Sequence, residues 1–311
     1  MIREDFFYDS RDNKTKLHAV RWIPENRNPV AIVQIVHGMC EHVDRYEEFA
    51  QFLVSKGILV TAEDHLGHGK SVTDGKYGYF CKQDAAKVLV KDVHRLKKLT
   101  QGEYPDRPYF ILGHSMGSFI LRNYLFVYGK GIDGAVVLGT GMPGKSLMLA
   151  LKVLSSLLCF FGQSQKPSEF INKLGFGAYQ KHIQNPRTSY DWLTKEEARV
   201  DSYLKDPLCG FVFTANGFKT LADLILTLHK KDNVAKMPVT LPVLFASGSE
   251  DPVGDYSQGV KTVYREFINE GMQKVELKIY EGDRHEILNE SDKERVYLDI
   301  YAFLKKGMGN D

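Results

Sequence analysis

Tyr109-Phe110-Ile111-Leu112-Gly113-His114-Ser115-Met116-Gly117 carries the reading on which the fold turns. The first four residues form a short apolar run rich in β-formers, and after Gly117 the residues Phe119, Ile120, Leu121 and Tyr124 recur at helical spacing. A strand therefore runs through Gly-x-Ser-x-Gly directly into a helix. In that context the two glycines let strand and helix cross closely, while Ser115 is forced into a sharp turn that lifts its hydroxyl above a sheet. The amides opening the helix, beginning with Met116 N–H, point at any anion that forms beside the serine.

Outward from this turn, strand-like and helix-like segments alternate, which implies a mostly parallel sheet with helices on both faces. Residues 5–8 and 16–23 read as an opening hairpin around Asp12-Asn13, and 31–36, 58–62, 109–112, 135–138, 243–246 and 275–280 read as further strands. Ala85, Leu89, Val93, Leu96 and Leu99 mark one amphipathic helix, and 46–56, 116–128, 256–270 and 292–306 mark others. Residues 142–237 break the rhythm with helical stretches and aromatic loops but no strand series. The expected organisation is a core at 1–141 and 238–311 with a helical cap at 142–237 inserted between two core strands.

A serine nucleophile needs a base, and a base needs an orienting acid. His285 lies in Glu281-Gly282-Asp283-Arg284-His285-Glu286, after the last strand and before the last helix. Asp251 lies in Gly248-Ser249-Glu250-Asp251-Pro252-Val253, after the strand at 243–246. Both sit where a loop can bring them to the carboxyl edge of the sheet. Glu250 and Asp255 compete for the acid's place, and the Pro252 that follows Asp251 favours it. Asp283 and Glu286, flanking His285, read as a solvated rim. Val36-His37-Gly38-Met39-Cys40-Glu41-His42 follows an earlier buried strand, and Gly38 gives its backbone the freedom to turn Met39 N–H inward as a second oxyanion donor beside Met116 N–H. The chain order Ser, Asp, His is that of an α/β-hydrolase.

Three segments in order, His37-Gly38-Met39-Cys40-Glu41-His42 with Arg45-Tyr46, Asp64-His65-Leu66-Gly67-His68-Gly69-Lys70-Ser71, and Gly113-His114-Ser115-Met116-Gly117, together resemble the monoacylglycerol lipase and lysophospholipase branch of the α/β-hydrolases. The resemblance covers about the first 140 residues and resumes from about Leu241; the inserted segment matches in position only. It implies that Ser115 attacks an acyl ester, that Asp251 orients His285, that the Met39 and Met116 amides hold the oxyanion, and that a helical cap covers the site. Gly38 and His114 would then border the substrate. The sequence departs from the family's pattern at Cys40 and Ser118, where glycine is usual. Cys40 bears on the conformation of its loop, and thiol reagents there are expected to inhibit by crowding the site.

The expected chemistry is hydrolysis through an acyl-enzyme, with activity falling at acid pH as a histidine base protonates. No cofactor is required. Asp64, His65 and His68, with His37 and His42, have no recognised ligand spacing, so no metal is assigned; Gly67-His68-Gly69 reads as a tight loop with His68 hydrogen-bonded to backbone. Leu147, Met148, Leu149, Leu151, Val153, Leu154, Leu157, Leu158, Cys159, Phe160 and Phe161 make a helix apolar nearly all round, which suits burial, lipid contact or the wall of an acyl tunnel. Leu151, Leu154 and Leu158 are the candidate chain-lining residues, and Phe211, Phe213, Phe218, Trp192 and Tyr203 are either more of that wall or ordinary core. A small-molecule acyl ester is the expected partner, with a transient contact between cap and membrane surface.

The composition narrows the field. The 311 residues are 43% hydrophobic and 26% charged, with a formal charge of +2 and basic residues no denser than pairs, so a nucleic-acid partner is excluded from the reading. Cys40, Cys81, Cys159 and Cys209 show no paired spacing and read as reduced thiols. Arg3, Glu4, Asp5, Asp9, Arg11 and Asp12 leave no apolar stretch for a secretory signal. A cytoplasmic protein, peripheral to membrane at most, is the expectation. A peptidase or amidase, a short-chain esterase and a non-catalytic binder of the same fold are the alternatives.

Overall fold

The apolar runs pair edge to edge into one sheet: β1 (Ile2–Asp9), β2 (Lys16–Ile23), β3 (Ala31–Val36), β4 (Ile58–Glu63), β5 (Tyr109–His114), β6 (Gly134–Leu138), β7 (Val243–Gly248) and β8 (Val275–Tyr280), in spatial order β1-β2-β4-β3-β5-β6-β7-β8. This is a computed structural model, and it describes residues 1–309. β1 and β2 form the opening hairpin, β2 pairs antiparallel with β4, and every pair from β4 through β8 is parallel. In β3, Ile32 and Val36 face one side while Ala31, Val33 and Ile35 face the other, all buried. A strand covered on both faces needs apolar side chains at odd and even positions alike, hence the unbroken runs.

The helices are α1 (Glu47–Ser55), α2 (Ala85–Glu103), α3 (Met116–Tyr128), α4 (Lys145–Leu158), α5 (Glu169–Phe176), α6 (Glu197–Lys205), α7 (Ala215–Leu228), α8 (Lys231–Val234), α9 (Gln258–Asn269) and α10 (Lys293–Gly307). α2, α3 and α9 cover one face of the sheet through Leu89, Val93, Ile120 and Val263. α1 and α10 cover the other through Phe49, Leu53, Ile300 and Phe303. α9 starts at Gln258 rather than at 256 because Asp255, Tyr256 and Ser257 all take positive φ, at 48°, 49° and 75°.

α4 to α8 lie between β6 and β7, and among the described residues that segment holds no strand. It is not an independent body, since Phe218, Leu221, Leu224 and Ile225 of α7 join the same buried cluster as α2 and α3. α4 departs from a buried packing helix: only Met148 and Ser155 are buried. It runs on into a π turn over Cys159–Gln163 that Gly162 breaks with φ 78°.

The registers decide where chemistry can occur. Val36 pairs with Gly113, His114 with Leu138, Leu138 with Ala246 and Gly248 with Tyr280, so β3, β5, β6, β7 and β8 end along one carboxyl edge. Ligand sites of open parallel sheets form outside that edge.

Candidate active site

β5 ends at His114 and α3 begins at Met116, so Ser115 makes the turn alone, with φ 54° and ψ −121°. Such a backbone costs on the order of 1–3 kcal/mol and persists only where its surroundings hold it. Here Ser115 N–H donates to Leu138 O at 3.0 Å, while Ser115 O accepts Ser118 N–H at 2.9 Å and Ser118 Oγ–H at 2.6 Å. Ser118 thus uses its hydroxyl to tie down the turn, a bond that glycine at that position lacks. Any side chain at Gly117 would run into the Val36 carbonyl, which shows how closely α3 crosses β3.

The loop after β3 sits against the serine: a methyl placed on Gly38 would lie 3.1 Å from Ser115 Cβ. Glu41 fixes this loop, accepting Gly38 N–H at 2.5 Å, Tyr46 O–H at 2.7 Å and Arg45 Nη1–H at 2.7 Å. Among the described residues neither Met39 N–H nor Met116 N–H donates to a protein acceptor. Cys40 stands in the left-handed region with φ 57°, a conformation that suits glycine, and its carbonyl accepts Tyr203 O–H and Gly210 N–H, each at 3.0 Å. The Cys40 thiol is enclosed, and burial pushes its pKa well up, so the expected sensitivity to thiol reagents at this residue is not what the structure supports.

His285 is 2% exposed and Asp251 fully buried, and Nδ1–H of His285 donates to Asp251 Oδ1 at 2.9 Å. Asp251 also accepts Val253 N–H at 2.8 Å and Ser247 Oγ–H at 3.2 Å. Burial opposes the Asp251 carboxylate, but the facing imidazole and these bonds outweigh it and hold its pKa below the ordinary value. Of the competing acids, Glu250 and Asp255 are exposed. The His114 ring lies 4.7 Å from that of His285, and its Nε2–H donates to His285 O at 3.3 Å. Among the described residues no hydrogen bond joins Ser115 Oγ to His285; such bonds commonly tighten when substrate binds.

Sequence reasoning missed part of this surround. The Trp192 ring lies 5.2 Å from His285, and its carbonyl accepts His285 N–H at 3.4 Å. Nothing local in the sequence marks this contact, because it joins the inserted segment to a loop far along the chain. Asp283 and Glu286 are not a solvated rim. Asp283 is 1% exposed with Lys195 Nζ at 2.9 Å, and Glu286 takes Arg45 in two bonds of 2.6 and 2.7 Å. That ion pair ties the loop before α1 to the loop carrying His285.

The loop at 64–71 is built by hydrogen bonds. His68 Nδ1–H donates to Leu66 O at 2.9 Å, Cys40 N–H to His68 Nε2 at 3.3 Å, and His65 N–H to His37 Nε2 at 3.0 Å. Burial pushes the pKa of His65 down to about 4 and that of His68 to about 3, keeping both neutral. Phe213 and Phe218 are core residues, with Phe213 edge-on to His68 at 5.4 Å. Leu151, Leu154 and Leu158 are half-buried on the inner side of α4, packed against the cluster that holds Phe218 and Leu221.

A mostly parallel sheet covered on both faces, with a strained serine at one strand end and a His–Asp pair at two others, defines a protein of the α/β-hydrolase class. The chain belongs to the family described as serine aminopeptidase, S33, which it matches over residues 27–292. It is 29% identical to the monoglyceride lipase of Mus musculus over 271 residues, covering 85% of this chain and 78% of that one. To the monoacylglycerol lipase of Mycolicibacterium smegmatis it is 27% identical over 286 residues, covering 91% and 90%. Among solved structures, a thermostable carboxyl esterase from Bacillus coagulans in complex with glycerol superposes with TM-score 0.91 at 31% identity, over 99% of each chain. Lipase or esterase activity follows from this kinship.

Proposed function

We propose that the protein hydrolyses single-chain acyl esters, monoacylglycerols foremost, by acyl transfer through Ser115, His285 and Asp251. The observation that carries this reading is the His285–Asp251 hydrogen bond on the same sheet edge as the Ser115 turn. His285 Nε2 takes the Ser115 hydroxyl proton as Oγ bonds to the ester carbonyl carbon, and the Met39 and Met116 amides receive the negative charge on oxygen. The intermediate collapses, the carbon–oxygen bond to the alcohol breaks, and His285 returns the proton to that alcohol. Water repeats the sequence on the acyl-enzyme and releases the carboxylic acid. Asp251, held ionised, keeps the imidazole in the tautomer that accepts at Nε2.

Residues 142–237 act as a cap in this reading, and Leu151, Leu154 and Leu158 border the acyl chain beside Gly38 and His114. The kinship with proteins named monoglyceride lipases, and the glycerol held by the Bacillus coagulans esterase, support a glyceryl monoester. The outer side of the cap supports contact with a lipid surface: Leu147, Val153 and Leu157 are more than half exposed, Phe160 is 82% exposed and Phe161 71%. Lys145–Gln163 has the length and mean hydropathy, 1.6, of a membrane-crossing helix. Its inner side is committed to protein, with Met148 buried and Lys152 Nζ 2.6 Å from Asp223, so it would lie on a bilayer rather than cross it.

A fluorophosphonate label, with Ser115→Ala as control, tests the nucleophile: the label should appear on the wild type and vanish with the variant, along with nearly all turnover. A panel of glyceryl, aryl and lysophospholipid esters beside aminoacyl amides tests the substrate. Glyceryl monoesters of medium or long chain should be cleaved best. Faster cleavage of the amides would overturn the ester reading.

A further inference from the structure

His42 stands apart from the other histidines of its region. His37 stacks on His65, and His68 lies tilted to the first and edge-on to the second, whereas His42 Nε2 meets the inserted segment at Asp206 Oδ2, 2.8 Å away. Asp206 and Cys209 are the two ends of the tight turn Asp206-Pro207-Leu208-Cys209, closed by Cys209 N–H donating to Asp206 O at 3.0 Å. Asp206 Oδ1 is engaged by Leu208 N–H at 2.9 Å, which orients the carboxylate and leaves Oδ2 facing His42. The result is a His nitrogen, a carboxylate oxygen and a Cys sulfur all within 4.8 Å of one another.

Tetrahedral zinc, with bonds of about 2.0–2.3 Å, holds such atoms roughly 3.5 Å apart, so His42 Nε2 and Asp206 Oδ2, now hydrogen-bonded at 2.8 Å, would open slightly to admit the ion while the Cys209 sulfur turns onto it. A mixed nitrogen, oxygen and thiolate set suits zinc. The second nitrogen of His42, Nδ1, lies 3.8 Å from Asp44 Oδ2, beyond hydrogen-bond reach, and Asp44 is held by Arg3 and Lys70, so the ring is left to be oriented by the ion itself. The neighbouring cation, Arg45, is already neutralised between Glu41 and Glu286. Asp206, at 31% side-chain exposure, is the open side through which an ion and a fourth, water ligand can enter, while His42 is 7% exposed. Burial raises the Cys209 thiol, so the metal would bind by displacing its proton.

We propose that His42, Asp206 and Cys209 form a zinc site that clamps the inserted segment onto the oxyanion loop. Both partners matter to the chemistry of the cleft. His42 is three residues after Met39, and the same loop is already strapped to the segment through Cys40 O. Zinc there would restrain any movement of the segment away from Ser115.

Cobalt(II) titrated into the reduced, metal-free protein reads the site directly and without reference to its hydrolytic activity. One equivalent should give a saturable thiolate-to-cobalt charge-transfer absorption with the visible bands of four-coordinate cobalt, and zinc should bleach both. Cys209→Ser should abolish the charge-transfer band, and Asp206→Asn should weaken cobalt binding at least tenfold, with circular dichroism showing each variant folded. Should Cys209→Ser not fold, Cys209→Ala serves in its place. Absence of a saturable band from the wild type, or its survival without Cys209, would overturn the site. Zinc should also slow the hydrolysis of a soluble ester by the wild type and spare Cys209→Ser; equal inhibition of both would overturn the clamp.

Discussion

Ser115 holds a φ of 54° and His285 depends on a carboxylate that no solvent reaches, so single atoms carry much of the proposed activity. Asp251→Asn tests the second dependence. The amide keeps the shape but loses the charge that stabilises the imidazolium, and it can hold the ring in the wrong tautomer. Turnover should fall on the order of 10³–10⁴-fold with KM little changed, and steady-state kinetics on a soluble ester checks this; a loss below tenfold would remove Asp251 from its role. The strand-end positions of Ser115, Asp251 and His285 were legible because each lies in a local pattern of strand, turn residue and helix. Glu286 was not, because its partner Arg45 is 241 positions away. Breaking that buried pair with Glu286→Ala leaves the guanidinium with Glu41 alone and should cost about 3 kcal/mol, read from urea unfolding. A change within experimental error would mean the pair is dispensable.

At the scale of elements, β3 to β7 could be read from largely apolar runs, because a doubly covered parallel sheet writes its burial into consecutive residues. The edge strands β1 and β8, mostly half-buried or exposed, showed only as shorter β-forming runs and, for β1, through the turn at Asp12-Asn13. α4 shows the limit of that reading. Its composition was plain, but which side met protein depended on where α7 packs, and that is a tertiary fact. The structure leaves Phe160 and Phe161 on the outside, where each would gain about 1.5–3 kcal/mol by entering an apolar phase. Replacing both, Phe160→Ser with Phe161→Ser, should lower binding to phospholipid vesicles at least tenfold in a sedimentation assay. Hydrolysis of a soluble aryl ester should be unchanged, since neither ring touches the Ser115 turn. Undiminished vesicle binding would place the lipid contact elsewhere.

Over the whole molecule, carboxyl groups divide into two sets that act on stability in opposite directions. Asp251 and Glu286 are opposed by burial, but His285 and Arg45 outweigh it and hold their pKa values below the usual range. The stability they contribute is present above the unfolded values, 3.8 and 4.5, and is lost as pH falls through the folded ones. Glu63 and Asp92, buried under the first strands beside Tyr8, are pushed up by burial to about 8 each. Among the described residues Glu63 Oε1 has no hydrogen-bond partner and lies 3.6 Å from His65 Nδ1, which has none either. Since His65 Nε2–H donates to His37 O at 3.2 Å, Nδ1 is the acceptor, and it suits a protonated Glu63. The folded chain therefore keeps protons that the unfolded chain releases, and stability should decline as pH rises from about 4.5 to about 8. Glu63→Gln carries no proton to lose, so its melting temperature should fall less between pH 5 and pH 8 than that of the wild type. A thermal melt series across that range decides it, and parallel slopes would show that Glu63 is already ionised in the folded chain.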